Sequence, residues 1–525
     1  MSATAAPPRS PALPRVPLAS ALAQVQSLPL RMPRHRRVLH LLLSFADDRS
    51  AQHWLQAFPP QALLSWGPAW AERCDVALGF TAKGLLRLGL PVPVQGLMRR
   101  LAPAFMAGAE ARSASHLGDA GTSGAGCWDE PFRHGRLDAV LTLHGEWLLM
   151  QQMRATQEAW FAADPLTGRP PRGELRWRQG EALPAPGTVG LAAGEWVHFG
   201  YRDGLTRPVI DPGLEQPHPE RPGACERPAA APAPDLGPLL HGGTSGHAPG
   251  ELLLGRARDI GDNPWGLPRL PQEVRRFVHE GSFGVLRVIE QRVRAFDEAV
   301  LRWAEAWAAS TASSASPAQV QRFIRAKLCG RWPEGPVVLP GEGPGTDIAP
   351  RLASQHAFEL DFGADPAGEG CPFASHVRRM NAQAGGGALA RPRTLFRRSL
   401  PYGDWPQGPG DGDGPRGTRG LLGLFFCSSI EEQFEHLVGQ WADRMPLGLD
   451  DGSRAQDPFI GAHDDAAAPF VLRRGAGVAP LRLWGFQPFV QTLGTAYLFY
   501  PALPAFEPLM DPRRWVREAE PWLLP

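Results

Sequence analysis

The sequence predicts an α+β fold built on antiparallel sheet, and three observations carry that expectation. Apolar runs of strand length recur along the chain, and stretches of helical periodicity are interspersed with them. The same succession starts twice, once before and once after a Pro/Gly-rich stretch at 212–250. In the first half, Val38 to Phe45 reads as a buried strand and Ser50 to Phe58 as a helix. Asp75 to Phe80 reads as a second strand, after which Thr81 caps a helix through Leu88 that Gly89 and Pro91 stop. Leu137 to Leu143 and Trp196 to Phe199 are further strands. In the second half Gly281 to Ile289 reads as a strand, and Val293, Phe296, Val300, Trp303 and Trp307 share one face of a helix. Gly420 to Phe426 is a strand, Ile430 to Trp441 a helix, and Gly494 to Tyr500 a closing strand.

Composition narrows the function classes. With 43% hydrophobic and 20% charged residues over 525 positions, the chain can build large cores, which excludes disorder throughout. A net charge of +1 points to neither nucleic acid nor an anionic membrane as the main partner. Six cysteines (Cys74, Cys127, Cys225, Cys329, Cys371 and Cys427) show no C-x-x-C spacing. That argues against a zinc cluster or a disulfide framework, and favours reduced thiols in a cytoplasmic setting. No apolar run reaches the roughly 18 residues of a membrane span. Residues 1–35 lack the layout of a secretory signal and read as a poorly ordered leader. The expected domains are 36–211 and 251–525, with 212–250 as an insertion or linker.

Four segments could carry chemistry. In His198-Phe-Gly-Tyr-Arg-Asp-Gly204, Gly200 and Gly204 bracket Asp203. This is either an ordinary Asp-Gly turn or a backbone that passes close to something flat while offering one carboxylate. His376 follows Cys371-Pro372, and Pro372 suits a first helical turn, with Arg378 and Arg379 just behind. It is either a surface helix histidine or a ligand. Arg397-Arg398-Ser-Leu-Pro-Tyr-Gly403 is either an exposed basic loop or a clamp for carboxylates and developing anions. His463, before Asp464 and Asp465, reads as a polar loop rather than a metal ligand, and His218, His241 and His247 read as solvated.

In this order the segments resemble the dye-decolourising peroxidase family. Gly200 to Gly204 is similar to its Gly-x-x-Asp-Gly signature, His376 to its haem-ligand position, and Arg397 to Gly403 to its Arg-Arg-x-x-Pro-Tyr-Gly segment. Arg112, His116 to Asp119, Glu280 to Phe283, Gly330 to Pro333, Arg419 to Leu421, Gln433 to Glu435 and Asp457 to Gly461 extend the resemblance from about Arg36 to Leu509. There are departures. Leu493-Gly494-Thr495-Ala496 stands where the family often has Arg-Gly-Gly, Asn381-Ala382-Gln383 replaces Asn-Pro-Arg, and the 212–250 stretch is long.

The resemblance implies two ferredoxin-like domains with antiparallel sheets of the dimeric α+β barrel type. It also implies one haem b per chain in the C-terminal half. His376 would be the iron ligand, Asp457 the carboxylate on its other ring nitrogen, and Gly200 and Gly204 would lie against the haem. Asp203 and Arg397 would lie on the distal side. Asp203 would move the peroxide proton, while Arg397 keeps that carboxylate ionised, contacts the haem and steadies charge as the O–O bond breaks. The implied activity is reduction of hydrogen peroxide through a ferryl state, followed by oxidation of dyes, phenolics or other electron donors. The alternative is a haem-binding protein for haem handling or sensing, with little peroxidase turnover. The implied partners are hydrogen peroxide and a reducing substrate, with room for a homo-oligomer and none for nucleic acid.

Overall fold

The computed structural model describes residues 24–30, 32–33, 35–63, 74–186, 195–205, 208–210, 216–217, 225–226, 246–259, 265, 270–311, 314–381, 393–406, 417–444, 455–463, 468–475 and 477–516. Strands β1 (Arg37–Phe45), β2 (Cys74–Phe80), β3 (Ala139–Gly145) and β4 (Gly173–Glu181) come from the first half. The second half supplies β5 (Ser282–Gln291), β6 (Phe396–Arg397), β7 (Leu400–Tyr402), β8 (Gly420–Cys427) and β9 (Val490–Tyr500). All nine belong to one sheet in the order β6-β8-β5-β9-β2-β3-β1-β4, with β7 also paired to β8. Its pairings are antiparallel. The halves join where Phe499 of β9 faces Phe80 of β2. Beside that joint the Tyr500 ring lies over two glycines: a Cβ would come within 2.6 Å of it at Gly79 and 2.4 Å at Gly284.

The α+β class and antiparallel pairing hold, but the expected dimeric α+β barrel type is corrected. Among the described residues no sheet closes on itself: β4 pairs only with β1, and β6 and β7 only with β8. Pro401 in β7 supplies a physical reason. Its carbonyl faces β4 so closely that a Cβ at Gly180 would sit 2.5 Å from it, yet proline has no N–H to return a ladder bond. The sheet therefore ends in two edges that approach without pairing.

Helices cover the sheet where the apolar spacing expects them. α1 (Asp48–Ala57) is capped by Asp47, and α2 (Ala82–Arg87) by Thr81, whose hydroxyl accepts from the Gly84 N–H. α3 (Trp147–Phe161) follows β3. In α4 (Val293–Ser310) the five apolar residues at helical spacing are all buried. α5 (Pro317–Cys329) opens with a Ser316–Gln319 capping box. α6 (His376–Met380) is short, and α7 (Ile430–Trp441) is wound as a π-helix. One core spans the sheet across both halves. A second gathers α4, α5, Phe199, Tyr201, Phe459 and Phe489, and houses the site.

The expected leader also differs at its end. Val25, Gln26, Ser27 and Leu28 are buried, and the Gln26 amide bonds the backbone of Leu78 and Pro501. Apolar Val25 and Leu28 give this stretch a core to join; residues 1–23 lie outside the described ones. Among the described residues no helix is long and apolar enough to cross a membrane.

Candidate active site

α5 ends at Gly330 in the left-handed conformation (φ 89°), pressed onto the segment that leads to His376. A Cβ at Gly330 would lie 2.6 Å from Cys371 Sγ and 2.9 Å from Ser375 Oγ. The same segment is fastened twice more. Lys327 of α5 donates to the carbonyls of Glu369 and Gly370 at 2.6 and 2.8 Å. Asp365 accepts from the N–H groups of Glu369 and Cys371 at 2.8 and 2.7 Å. Burial pushes the Lys327 ammonium down to about 8, against the attraction of Asp365.

His376 opens α6, and its Nδ1 lies 2.8 Å from Asp457 Oδ2. Asp457 is fully buried and its Oδ1 accepts from the N–H groups of Phe459 and Ile460 at 2.9 and 3.1 Å. Burial alone would raise this carboxyl. The attraction and hydrogen bond of His376, with the two backbone bonds, outweigh it and hold the group below the ordinary carboxylate range. An ionised Asp457 accepts the Nδ1–H, which leaves the Nε2 lone pair for another ligand. Arg379 is buried behind this pair and donates to the carbonyls of Trp441 and Ala455, just ahead of Asp457.

The second pair forms across a long sequence separation. Strands Glu195–Val197 and Tyr201–Asp203 make a hairpin that ends on Asp203. Gly200 (φ 79°) and Gly204 (φ 70°) take the left-handed backbone that favours glycine. A Cβ at Gly200 would meet nothing within 4 Å, so its conformation, not crowding by protein, accounts for the residue. Arg397 in β6 grips Asp203 through two bonds of 3.1 and 2.7 Å. Its neighbour Arg398 points the other way, as strand alternation requires, and donates to the carbonyls of Leu28 and Pro29. The Phe459 ring links the two regions, lying 5.5 Å from both His376 and Tyr201 and 5.7 Å from Phe199.

Known proteins share this arrangement of chain. The dye-decolorizing peroxidase msp1 of Mycetinis scorodonius is 26% identical over 457 residues, 83% of this chain and 76% of its own length. The multifunctional dye peroxidase DyP2 of an Amycolatopsis species is 28% identical over 453 residues, 82% and 80% of the two chains. Over most of its length the chain is similar in sequence to dye-decolourising peroxidases. Solved structures of dye-decolourising peroxidases share the fold. A fungal one from Auricularia auricula-judae superposes with a TM-score of 0.67 at 21% identity, covering 93% of this chain and 99% of that one. DyP2 gives 0.63 at 22% identity, covering 93% and 96%. No protein-family profile matches the chain.

Haem is the cofactor of the dye-decolourising peroxidases, and the residues here fit it. Haem iron arrives already held by its ring and needs one protein nitrogen, which His376 Nε2 can supply. Among the described residues no group of three or more His, Cys, Asp or Glu could hold a bare metal ion, His463 included. His463 stacks on Phe486 at 5.6 Å; Asp464 and Asp465 lie outside the described residues, as do Thr206, Arg207, His218, His241, Ala382 and Gln383. His247 is not solvated as expected: its Nδ1 lies 2.8 Å from Asp259. The fastening residues Lys327 and Asp365 escape a motif reading. Lys327 does leave one signal, a lysine on the apolar stripe that Val320, Phe323 and Ile324 define.

Proposed function

We propose that the chain binds one haem b through His376 Nε2, and that Asp203 and Arg397 handle hydrogen peroxide on it. Dyes, phenolics or other donors would then be oxidised. The observation that carries this reading is the buried, ionised Asp457 on His376 Nδ1, which leaves one ring nitrogen for iron. When bound, haem supplies the iron that takes up peroxide and stores its oxidising equivalents. Asp457 keeps the imidazole turned and its Nδ1 protonated, so the Nε2 lone pair is always presented. Asp203 accepts the proton from one peroxide oxygen and returns it to the oxygen that leaves. Arg397, charged throughout, holds Asp203 at two points and meets the negative charge that develops on the departing oxygen.

The thiols of Cys74, Cys329, Cys371 and Cys427 are free, in keeping with a cytoplasmic setting. The partition into 36–211 and 251–525 around the Pro/Gly-rich stretch belongs to the same proposal. The test is the absorption spectrum of haem-loaded protein before and after one equivalent of peroxide, followed by oxidation of a phenolic donor. A Soret band that His376→Ala abolishes, and that shifts on mixing with peroxide, is the expected result. A band that is unchanged in His376→Ala would overturn the ligand assignment. A loaded protein indifferent to peroxide would point to haem handling instead.

A further inference from the structure

The segments that carry Asp203 and Arg397 also meet at His198, at the turn of the hairpin five residues before Asp203. His198 is 2% exposed and its Nε2 lies 3.0 Å from the carbonyl oxygen of Gly403, the last residue of the Pro-Tyr-Gly segment that follows Arg397. A carbonyl only accepts, so Nε2 carries the proton and Nδ1 does not. The buried Nδ1 is accordingly without a hydrogen-bond partner. Burial above all keeps the imidazole below the ordinary histidine range, with Arg419 acting in the same direction and the Gly403 carbonyl, the Gln291 side chain and the Asp404 backbone against it. The acceptor is fixed. Gly403 sits at φ 80°, and a Cβ there would come within 2.1 Å of the Thr418 carbonyl, so this turn cannot drift. Trp405 closes the clasp from outside, its ring 5.7 Å from that of His198 and its Nε1 bonded to the Pro184 carbonyl.

We propose that His198 is a positioning residue for the Asp203–Arg397 pair, its Nε2–H bond to Gly403 setting how the 195–203 hairpin lies along the 396–403 segment. The pair alone does not set that geometry. The Arg397 side chain is long enough to follow a shifted Asp203, and at 45% and 21% exposure the two are only partly confined. A bond between a turn histidine and a pinned carbonyl is not so forgiving. The role in peroxide chemistry rests on the function proposed above, whereas the clasp itself can be measured without haem.

Two variants separate donor from bulk. His198→Gln keeps an amide N–H near the Nε2 position, and His198→Leu keeps volume and removes the donor. In haem-free protein, amide hydrogen exchange over 195–203 is expected to rise about tenfold in the Leu variant and to stay near wild type in the Gln variant. In haem-loaded protein, the rate of reaction with peroxide should fall about tenfold or more in His198→Leu, with haem content and the resting spectrum unchanged, and recover in His198→Gln. If His198→Leu does not fold, His198→Asn takes its place, since its shorter amide cannot reach Gly403. Wild-type exchange in both Leu and Asn variants overturns the clasp, as does a Gln variant as loose as the Leu one. Looser exchange with an unaltered peroxide rate overturns the positioning role. A wild-type protein that never reacts with peroxide would fail the proposed function instead, and leave the exchange result standing.

Discussion

Asp457 decides what His376 can do, because His376 and two backbone N–H groups outweigh burial and favour its ionised form. Asp457→Asn keeps an acceptor and loses the charge, so the imidazole becomes a weaker donor to iron. The reduction potential of the bound haem is expected to rise by on the order of 60 mV, one tenfold step in a one-electron equilibrium, as spectroelectrochemistry would read. The same carboxyl lies below its ordinary value in the fold, so its contribution to stability is complete above the carboxylate range and is lost as pH falls through the folded value. Acid unfolding followed by fluorescence should therefore lose steepness below about pH 4 in the Asn variant. In the pair proposed to handle peroxide, Asp203→Asn is expected to slow the reaction by about 10²–10⁴-fold, measured by rapid mixing. A rate unchanged by that substitution would remove Asp203 from proton transfer. These residues were legible as candidates from sequence through short motifs that resemble the family's. Lys327 and Asp365 were not, since they act on backbone carbonyls and N–H groups that any sequence would offer.

At the scale of elements, Gly330 couples the end of α5 to the segment before His376. Gly330→Ala would add strain at φ 89° and a contact with Cys371 Sγ, and should cost about 1–3 kcal/mol in denaturant unfolding. It should also quicken haem loss to an acceptor protein, a readout that a remote strain would leave alone. Strands β1 and β3 carry a different sensitivity. His40 pairs directly with Thr142, at 2.9 Å, and His144 follows two residues on along the same buried face. Burial lowers His40 to about 3 and His144 well below its ordinary value. The unfolded chain binds these protons near pH 6.5 and the folded one does not, so stability falls with pH from there towards about 3. His40→Gln should reduce that slope by up to about 1.4 kcal/mol per pH unit, measured by urea unfolding across the interval. Apolar spacing located β1 to within a residue, since burial governs periodicity. It could not announce two neutral histidines in the sheet, because the Thr142 partner of His40 comes from register.

For the whole molecule, the continuous sheet and two buried ion clusters bind the halves together. Arg287 of β5 grips Asp119 at 2.9 and 2.6 Å and reaches Thr492 and Thr495 of β9. Arg112 grips Glu435 of α7 at 2.6 Å through each of two nitrogens, and Tyr497 donates to the same carboxylate. Arg112→Met would leave Glu435 buried without its cation and should cost about 3 kcal/mol. We expect the wild-type protein to unfold in one calorimetric transition; two separated transitions would show that the halves are independent after all. The barrel expectation failed at this scale for a physical reason. Strand count and polarity follow from local pattern, but closure depends on whether two distant edges exchange ladder bonds, and Pro401 has none to give.

Arg398 carries one practical consequence. Its guanidinium, buried one peptide away from Arg397, donates to the Leu28 and Pro29 carbonyls and to the carbonyl of Arg397 itself. A shortened chain beginning at Arg36 would discard the Leu28 and Pro29 carbonyls and leave a buried cation with fewer acceptors next to Arg397. Trimming the Pro/Ala-rich front to aid crystallisation, or cutting it with a protease, should thus be read out in peroxide kinetics and not only in solubility. A trimmed chain should keep Gln24 and everything after it, since the Gln24 carbonyl already accepts from the Leu503 N–H.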